Sequence, residues 1–117
     1  VPISKLVECI SWAEKEVKNK NLIAPMVGHV GDGNFHSIIL YDPHDKEKQK
    51  LIKEYSDKLI EKALELEGTI TGEHGIGLQK KGYLLKEHPD NLPVMKSIKR
   101  SLDPNNIMNP GKVFDLN

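Results

Sequence analysis

A chain of 117 residues holds one domain or part of one, and folding removes on the order of two-thirds of its extended-chain surface from water. Lys plus Arg and Asp plus Glu each number 17, which removes the electrostatic case for nucleic acid or an anionic membrane as partner. The single cysteine, Cys9, excludes an internal disulfide and fits a reducing compartment, and no apolar run approaches the roughly 18 residues of a transmembrane helix.

The chain opens on Val1 rather than Met, so it reads as a processed or excised segment, with any targeting information expected outside it. Residues 1–3 are expected to close a strand that begins upstream. Ser4 suits a helix N-cap, because Leu6, Val7, Ile10, Ala13 and Val17 follow at helical spacing. That helix is expected to fade at residues 19–21, where helix-poor polar residues cluster. Residues 22–30 read as a strand with Pro25 marking an edge or bulge. Residues 35–41 read as a second strand, stopped by Asp42-Pro43. The strongest helix is expected over residues 45–67, with Ile52, Tyr55, Leu59, Ala63 and Leu66 as its buried stripe and Gly68 at its end. The β-branched residues 69–71 predict a short strand, and a glycine-punctuated loop follows over residues 72–77. Shorter helices are expected over residues 78–87 and 92–102, the latter with Pro93 in its first turn and Asp103-Pro104 as its stop. Residues 105–117 are expected to be mostly extended. The order strand, helix, strand, strand, helix, strand predicts an α+β fold. It is an antiparallel sheet with helices packed on one face, half of a ferredoxin-like arrangement, followed by a short helical C-terminal segment.

The most informative stretch is Gly28-His29-Val30-Gly31-Asp32-Gly33-Asn34-Phe35-His36. Asp32-Gly33 between two apolar runs predicts a two-residue type I′ turn, whose central residues both take positive φ. With that turn Gly31 faces Asn34, Val30 faces Phe35 and His29 faces His36, with Cβ atoms about 4.5–5.5 Å apart. Two imidazoles at that separation repel when both are protonated and can chelate a divalent cation when neutral. A lone strand histidine is most often a packed or surface residue; a pair set opposite each other by a turn is a rarer pattern. The second motif is Thr71-Gly72-Glu73-His74-Gly75-Ile76-Gly77. Glu73 offers a carboxylate oxygen and His74 a proton acceptor, while the flanking glycines let the backbone bend or approach a ligand. Alone, this segment reads first as a tight turn with solvated side chains. Two histidines plus a carboxylate, however, form a ligand set for a catalytic metal with open positions. His44 and His88 lie beside prolines and read as solvated, Trp12 reads as partly buried, and residues 46–50 read as an exposed charge run.

These two motifs, with Leu102-Asp103-Pro104-Asn105-Asn106-Ile107-Met108-Asn109-Pro110-Gly111-Lys112-Val113, resemble the C-terminal domain of FAD-linked oxidases. This is the vanillyl-alcohol-oxidase-like superfamily, and the likeness is to its mitochondrial, cytochrome-linked D-lactate dehydrogenase group. Val1-Pro2-Ile3-Ser4 is similar to a strand-to-helix junction of that group, so the resemblance spans essentially the whole chain. It implies that His29, His36 and Glu73 bind a divalent metal, zinc or manganese, and that His74 is the base. Such a metal would orient the hydroxyl and carboxylate of a small 2-hydroxy acid and acidify the hydroxyl. His74 would take the proton, and hydride would pass to N5 of FAD, turning D-lactate into pyruvate. Asn109 is implied as a cofactor-side residue, with an ordinary turn as the equal alternative. Mitochondrial location and cytochrome c as electron acceptor are implied in the same way. D-2-hydroxyglutarate dehydrogenases commonly carry Asn two residues beyond the second hairpin histidine, where this chain has Ile38. That difference favours a monocarboxylic substrate, with a glycolate- or D-2-hydroxyglutarate-oxidising relative as the alternative.

Nothing in residues 1–117 resembles the family's FAD-binding domain, which lies N-terminal to this region. The expectation is therefore a C-terminal part of a substrate or cap domain that alone neither holds FAD firmly nor turns over substrate. The alternatives from other classes are a freestanding divalent-metal module without redox activity and a structural domain with a degenerate site.

Overall fold

The computed structural model describes residues 1–116. Helix α1 spans Ile3–Asn19, strands β1 and β2 span Met26–His29 and Asn34–Ser37, and helices α2, α3 and α4 span Lys46–Glu65, Lys81–Glu87 and Leu92–Leu102. The result is an α+β fold with a two-stranded antiparallel sheet. The chain divides into two units, Val1–Gly72 and Glu73–Asn117.

In the first unit, α1 buries Leu6, Cys9 and Ala13, one face of a 3.6-residue repeat. It starts at Pro2, whose fixed φ leads into the first turn, and Lys5 N donates to Pro2 O at 2.8 Å. Ser4 therefore sits inside the helix rather than capping it, and residues 1–3 form no strand. At the other end, Asn21 takes positive φ, its N–H donates to Lys18 O, and Leu22 N donates to Val17 O. This Schellman ending satisfies two orphan carbonyls and turns Leu22 into the core, 8% exposed.

Helix α2 is capped by Asp45, whose side chain accepts from Lys48 N at 2.9 Å. Tyr55 and Leu66 of its expected stripe are buried, and Ile52, Leu59 and Ala63 are half-buried. It ends in a second Schellman motif, with Glu67 N donating to Leu64 O and Gly68 N to Ala63 O. Glu67, not Gly68, carries the positive φ. Gly68 is needed for space, since a Cβ there would lie 2.7 Å from Val1 Cγ1 and 2.8 Å from Ala63 O. Ion pairs Glu8–Lys62, Glu16–Lys58 and Lys20–Glu54 run in opposite sequence directions, so α1 and α2 lie antiparallel. Exposed pairs of this kind set alignment more than they stabilise.

The strands are shorter than expected because Pro25 has no N–H for the ladder. Ile38 N still donates to Pro25 O at 2.9 Å, and an isolated bridge joins Ile23 to Leu40 beyond it. Residues 69–71 form no strand, so the sheet has two strands where the periodicity suggested four; Ile70 alone is buried, at 4% exposure. One sheet face is tied to α2 by the hydrogen bond that Tyr55 Oη donates to Ser37 Oγ at 2.9 Å. Burial pushes the Tyr55 phenol and the Cys9 thiol above their ordinary values, keeping both neutral.

In the second unit, α3 begins three residues later than expected and α4 matches its expected bounds, with Pro93 in its first turn. Leu84 and Leu92 are buried. The tail is a chain of turns rather than extended: Asn106, Asn109, Gly111 and Val113 all have positive φ. It folds back within the unit through Val113 N to Gly77 O at 2.8 Å and Lys81 Nζ to both carboxylate oxygens of Asp115 at 2.8 Å. Asn117, the last residue of the expected extended tail, lies outside the described residues.

Tyr55→Phe is expected to cost about 0.5–1.5 kcal/mol, the net worth of one hydrogen bond, and Leu6→Ala about 2–5 kcal/mol from lost burial and a residual cavity. Urea unfolding of the matched variants measures both.

Candidate metal centre

The hairpin closes by a different turn from the expected one. Asp32 stays in a right-handed 3₁₀ turn over Val30–Asp32, and Gly33 alone becomes left-handed at φ 68°. Confining positive φ to glycine avoids the cost of αL at an aspartate. The loop therefore holds four residues, and the register becomes His29 opposite Asn34, Gly28 opposite Phe35 and Val27 opposite His36. His29 and His36 are not directly opposed; they are diagonal neighbours. The shift is two residues, and an even shift leaves every side chain on its own face, so the pair survives the correction. Their ring centroids lie 6.1 Å apart with the planes at 85°, and a nitrogen of each lies within 4.8 Å of the other.

That spacing suits one cation. Two metal–nitrogen bonds of the usual length place tetrahedral ligand atoms about 3.3 Å apart, so a cation would require a side-chain rotation to close the difference. His29 is exposed and His36 half-buried. They lie on the face away from Ser37, the residue that meets Tyr55 of α2. Gly28 makes the hairpin tight: a Cβ there would fall 2.6 Å from Phe35 Cα.

Glu73 and His74 open the second unit, in a turn bounded by left-handed Gly72 and Gly75 at φ 52° and 71°. Their side chains are 44% and 72% exposed, with Glu73 Oε1 3.5 Å from His74 Nε2. His44 is exposed, as expected, while His88 is half-buried and sits 3.4 Å from Glu87 Oε1.

Asn109 belongs to the turn Asn109-Pro110-Gly111-Lys112, closed by Lys112 N to Asn109 O at 3.3 Å. Proline second and positive-φ glycine third is the type II pattern. The residue lines a cleft of about 290 Å³ with Met108, Val113, Phe114 and Leu116. Asn106 also lines it, and its Oδ1 is a buried acceptor without a partner. An apolar wall of this kind fits the edge of a flat heterocycle, but the cleft holds only a small part of a molecule the size of FAD.

One residue that supports this segment was legible only as a helix stop. Asp103 is 5% exposed, and its carboxylate accepts from Ile107 N at 3.0 Å and Met108 N at 2.9 Å. Lys99 Nζ bonds the same carboxylate and Met108 O. The available signal was the i, i+4 spacing of Lys99 and Asp103 on a helix. The Lys99 ammonium, then the two amides, hold the Asp103 carboxyl below its ordinary value despite the opposing effect of burial.

Comparisons with known proteins agree with one another. A family model described as FAD linked oxidases, C-terminal domain, matches residues 1–113. The chain is 46% identical over 117 residues to a probable mitochondrial D-lactate dehydrogenase of Danio rerio, covering 99% of this chain and 24% of that protein. It is 45% identical to a mitochondrial D-lactate dehydrogenase [cytochrome] of Arabidopsis thaliana, covering 97% of this chain and 20% of that protein. The glycolate oxidase subunit GlcD of Bacillus subtilis is 36% identical, covering 97% of this chain and 24% of that protein. The chain thus spans between a fifth and a quarter of the length of these relatives.

Because the folded-state value of Asp103 is depressed, its contribution to stability is complete above the unfolded value and is lost as pH falls through the folded one. The melting temperature of Asp103→Ala is expected to lie below that of the unmodified protein at neutral pH, with the gap closing in acid. A gap independent of pH would show that the carboxylate is not the stabilising form.

Proposed function

This chain belongs to the FAD-linked oxidase C-terminal domain family, and we propose that it is the metal-carrying part of a longer flavoprotein that oxidises a D-2-hydroxy acid, D-lactate to pyruvate first among them. The observation that carries the reading is the pair of histidines held on one sheet face with ring nitrogens within 4.8 Å. Glu73 is the proposed third ligand. Gly72 brings the chain to the hairpin, since a Cβ there would lie 3.7 Å from Oδ1 of Asn34, the register partner of His29. Glu73 is one peptide, about 3.8 Å between Cα atoms, further on.

A divalent cation bound there, zinc or manganese, supplies Lewis acidity toward the hydroxyl and carboxylate of the substrate. His29 and His36 would offer ring nitrogens and Glu73 an oxygen, a mixed set that suits either ion. His74 receives the hydroxyl proton. Its adjacency to Glu73 in the chain supports that role, since the step requires an acceptor within hydrogen-bond reach of the hydroxyl. Bound FAD would supply the hydride acceptor, and a flavin domain outside these residues would provide most of its binding surface. From this chain Asn109 and the cleft beside it would meet one edge of the cofactor.

The names of the relatives support D-lactate as substrate, a mitochondrial location and a cytochrome as electron acceptor. The glycolate oxidase subunit supports glycolate as the second candidate substrate. None of the helices is long and apolar enough to cross a membrane among the described residues.

Elemental analysis of the flavoprotein is expected to find about one divalent ion per chain, lost in His29→Ala, His36→Ala and Glu73→Ala. His74→Ala is expected to keep the metal and lose turnover by about 10²–10⁴-fold, the usual worth of a general base. Full metal content in all three ligand variants would remove the proposed site.

A further inference from the structure

The histidine face carries more than two imidazoles. Alternation along the observed register puts Val27 and His29 of β1 on one face with Asn34 and His36 of β2. The same register continues through Pro25 and Ile38 to the bridge between Ile23 and Leu40. The histidines thus occupy one diagonal of a four-residue patch, and Val27 and Asn34 occupy the other. On the Asn34 side lies the hairpin loop, rich in polar backbone. On the Val27 side the row is entirely aliphatic, and it is not packed into the core: Val27 is 52% exposed, Ile38 47%, Leu40 54% and Ile23 62%.

A ligand held by the two histidines therefore meets polar groups in one direction and hydrocarbon in the other. A 2-hydroxy acid has that same division, with carboxylate and hydroxyl at one end and a carbon chain at the other. We infer that Val27 is a specificity-determining residue. It stands opposite His36 and two residues from His29, and it receives the first carbons of the substrate's side chain. This assignment rests on the proposed function above and adds which residue reads the substrate, and from which side. A second carboxylate on the substrate would lie against Val27 without a partner, which is costly in a desolvated site. Longer aliphatic chains extend along the row toward Ile23, four residues or about 13 Å away at the rise of a strand. Val27 is β-branched and stiff at χ1, so the wall is fixed in shape.

The test is a chain-length series on the metal-loaded flavoprotein. It would use D-lactate, D-2-hydroxybutyrate and D-2-hydroxyvalerate, with D-malate as the diacid, and the variants Val27→Thr and Val27→Ile. Two readouts are taken: kcat/KM, and the affinity of the matching 2-oxo acids from perturbation of the flavin spectrum. In the unmodified protein each added methylene is expected to gain up to about fourfold, with D-malate the poorest substrate. Val27→Thr keeps the shape but is expected to flatten the series in both readouts. Val27→Ile keeps the apolar character and is expected to move the optimum to a shorter chain. A series unmoved in both variants would overturn the assignment of Val27 and leave the dehydrogenase reading intact. A metal-loaded parent that neither binds nor oxidises any of these acids would overturn the dehydrogenase reading, and this assignment with it.

Discussion

The first unit depends on a close passage of backbone over glycine. Val1 runs past the hairpin loop, its nitrogen 2.9 Å from Gly33 O and its carbonyl oxygen in the space a Cβ on Gly33 would occupy. On its other side it meets Gly68 at the end of α2. Three segments distant in sequence are thereby stacked where no side chain larger than hydrogen fits. Gly33 is fixed twice, by positive φ and by lack of space, and it sets the loop length and so the register of β1 against β2. The aliphatic row on the exposed sheet face is not buried against anything in the first unit that would set a register; the loop supplies it.

From that register follows a division of labour between the two faces of a small sheet. One face is tied to α2 through Ser37 and Tyr55, whose buried phenol hydroxyl donates the bond. The other presents His29 and His36 and a row of aliphatic side chains. Rigid support on one face would serve the proposed metal site on the other, because ligand geometry is only as fixed as the backbone beneath it. The Schellman endings at Asn21 and Glu67 serve the same purpose by aiming the chain out of each helix with its carbonyls satisfied.

The second unit solves a different problem. Its tail has few buried apolar side chains, and order there comes from polar groups. Asp103 ends α4 and gathers the amides of Ile107 and Met108, while Lys99 neutralises the carboxylate. A buried carboxylate is tolerated because all its neighbours are donors. The Asn109-Pro110-Gly111 turn follows directly from this anchored stretch, which gives a short, glycine-containing segment a defined path past the cleft.

The sequence by itself determined the α+β class, the extent of α2 and α4 and the pairing of two histidines on one hairpin. Each of these rests on local chemistry: helical spacing, and two apolar runs around Asp32-Gly33. The membership of His29 and His36 on one face was legible because strand alternation has period two, and an error of two residues leaves it unchanged. The register itself was not legible, because both loop lengths place glycine acceptably and only the passage of Val1 over Gly33 separates them. Residues 69–71 carry β-branched side chains but find no neighbouring strand, and propensity cannot supply one. The turns of the tail were hidden for a similar reason. They depend on Asp103 reaching amides four and five residues ahead, a contact that exists only once α4 has ended and the chain has doubled back.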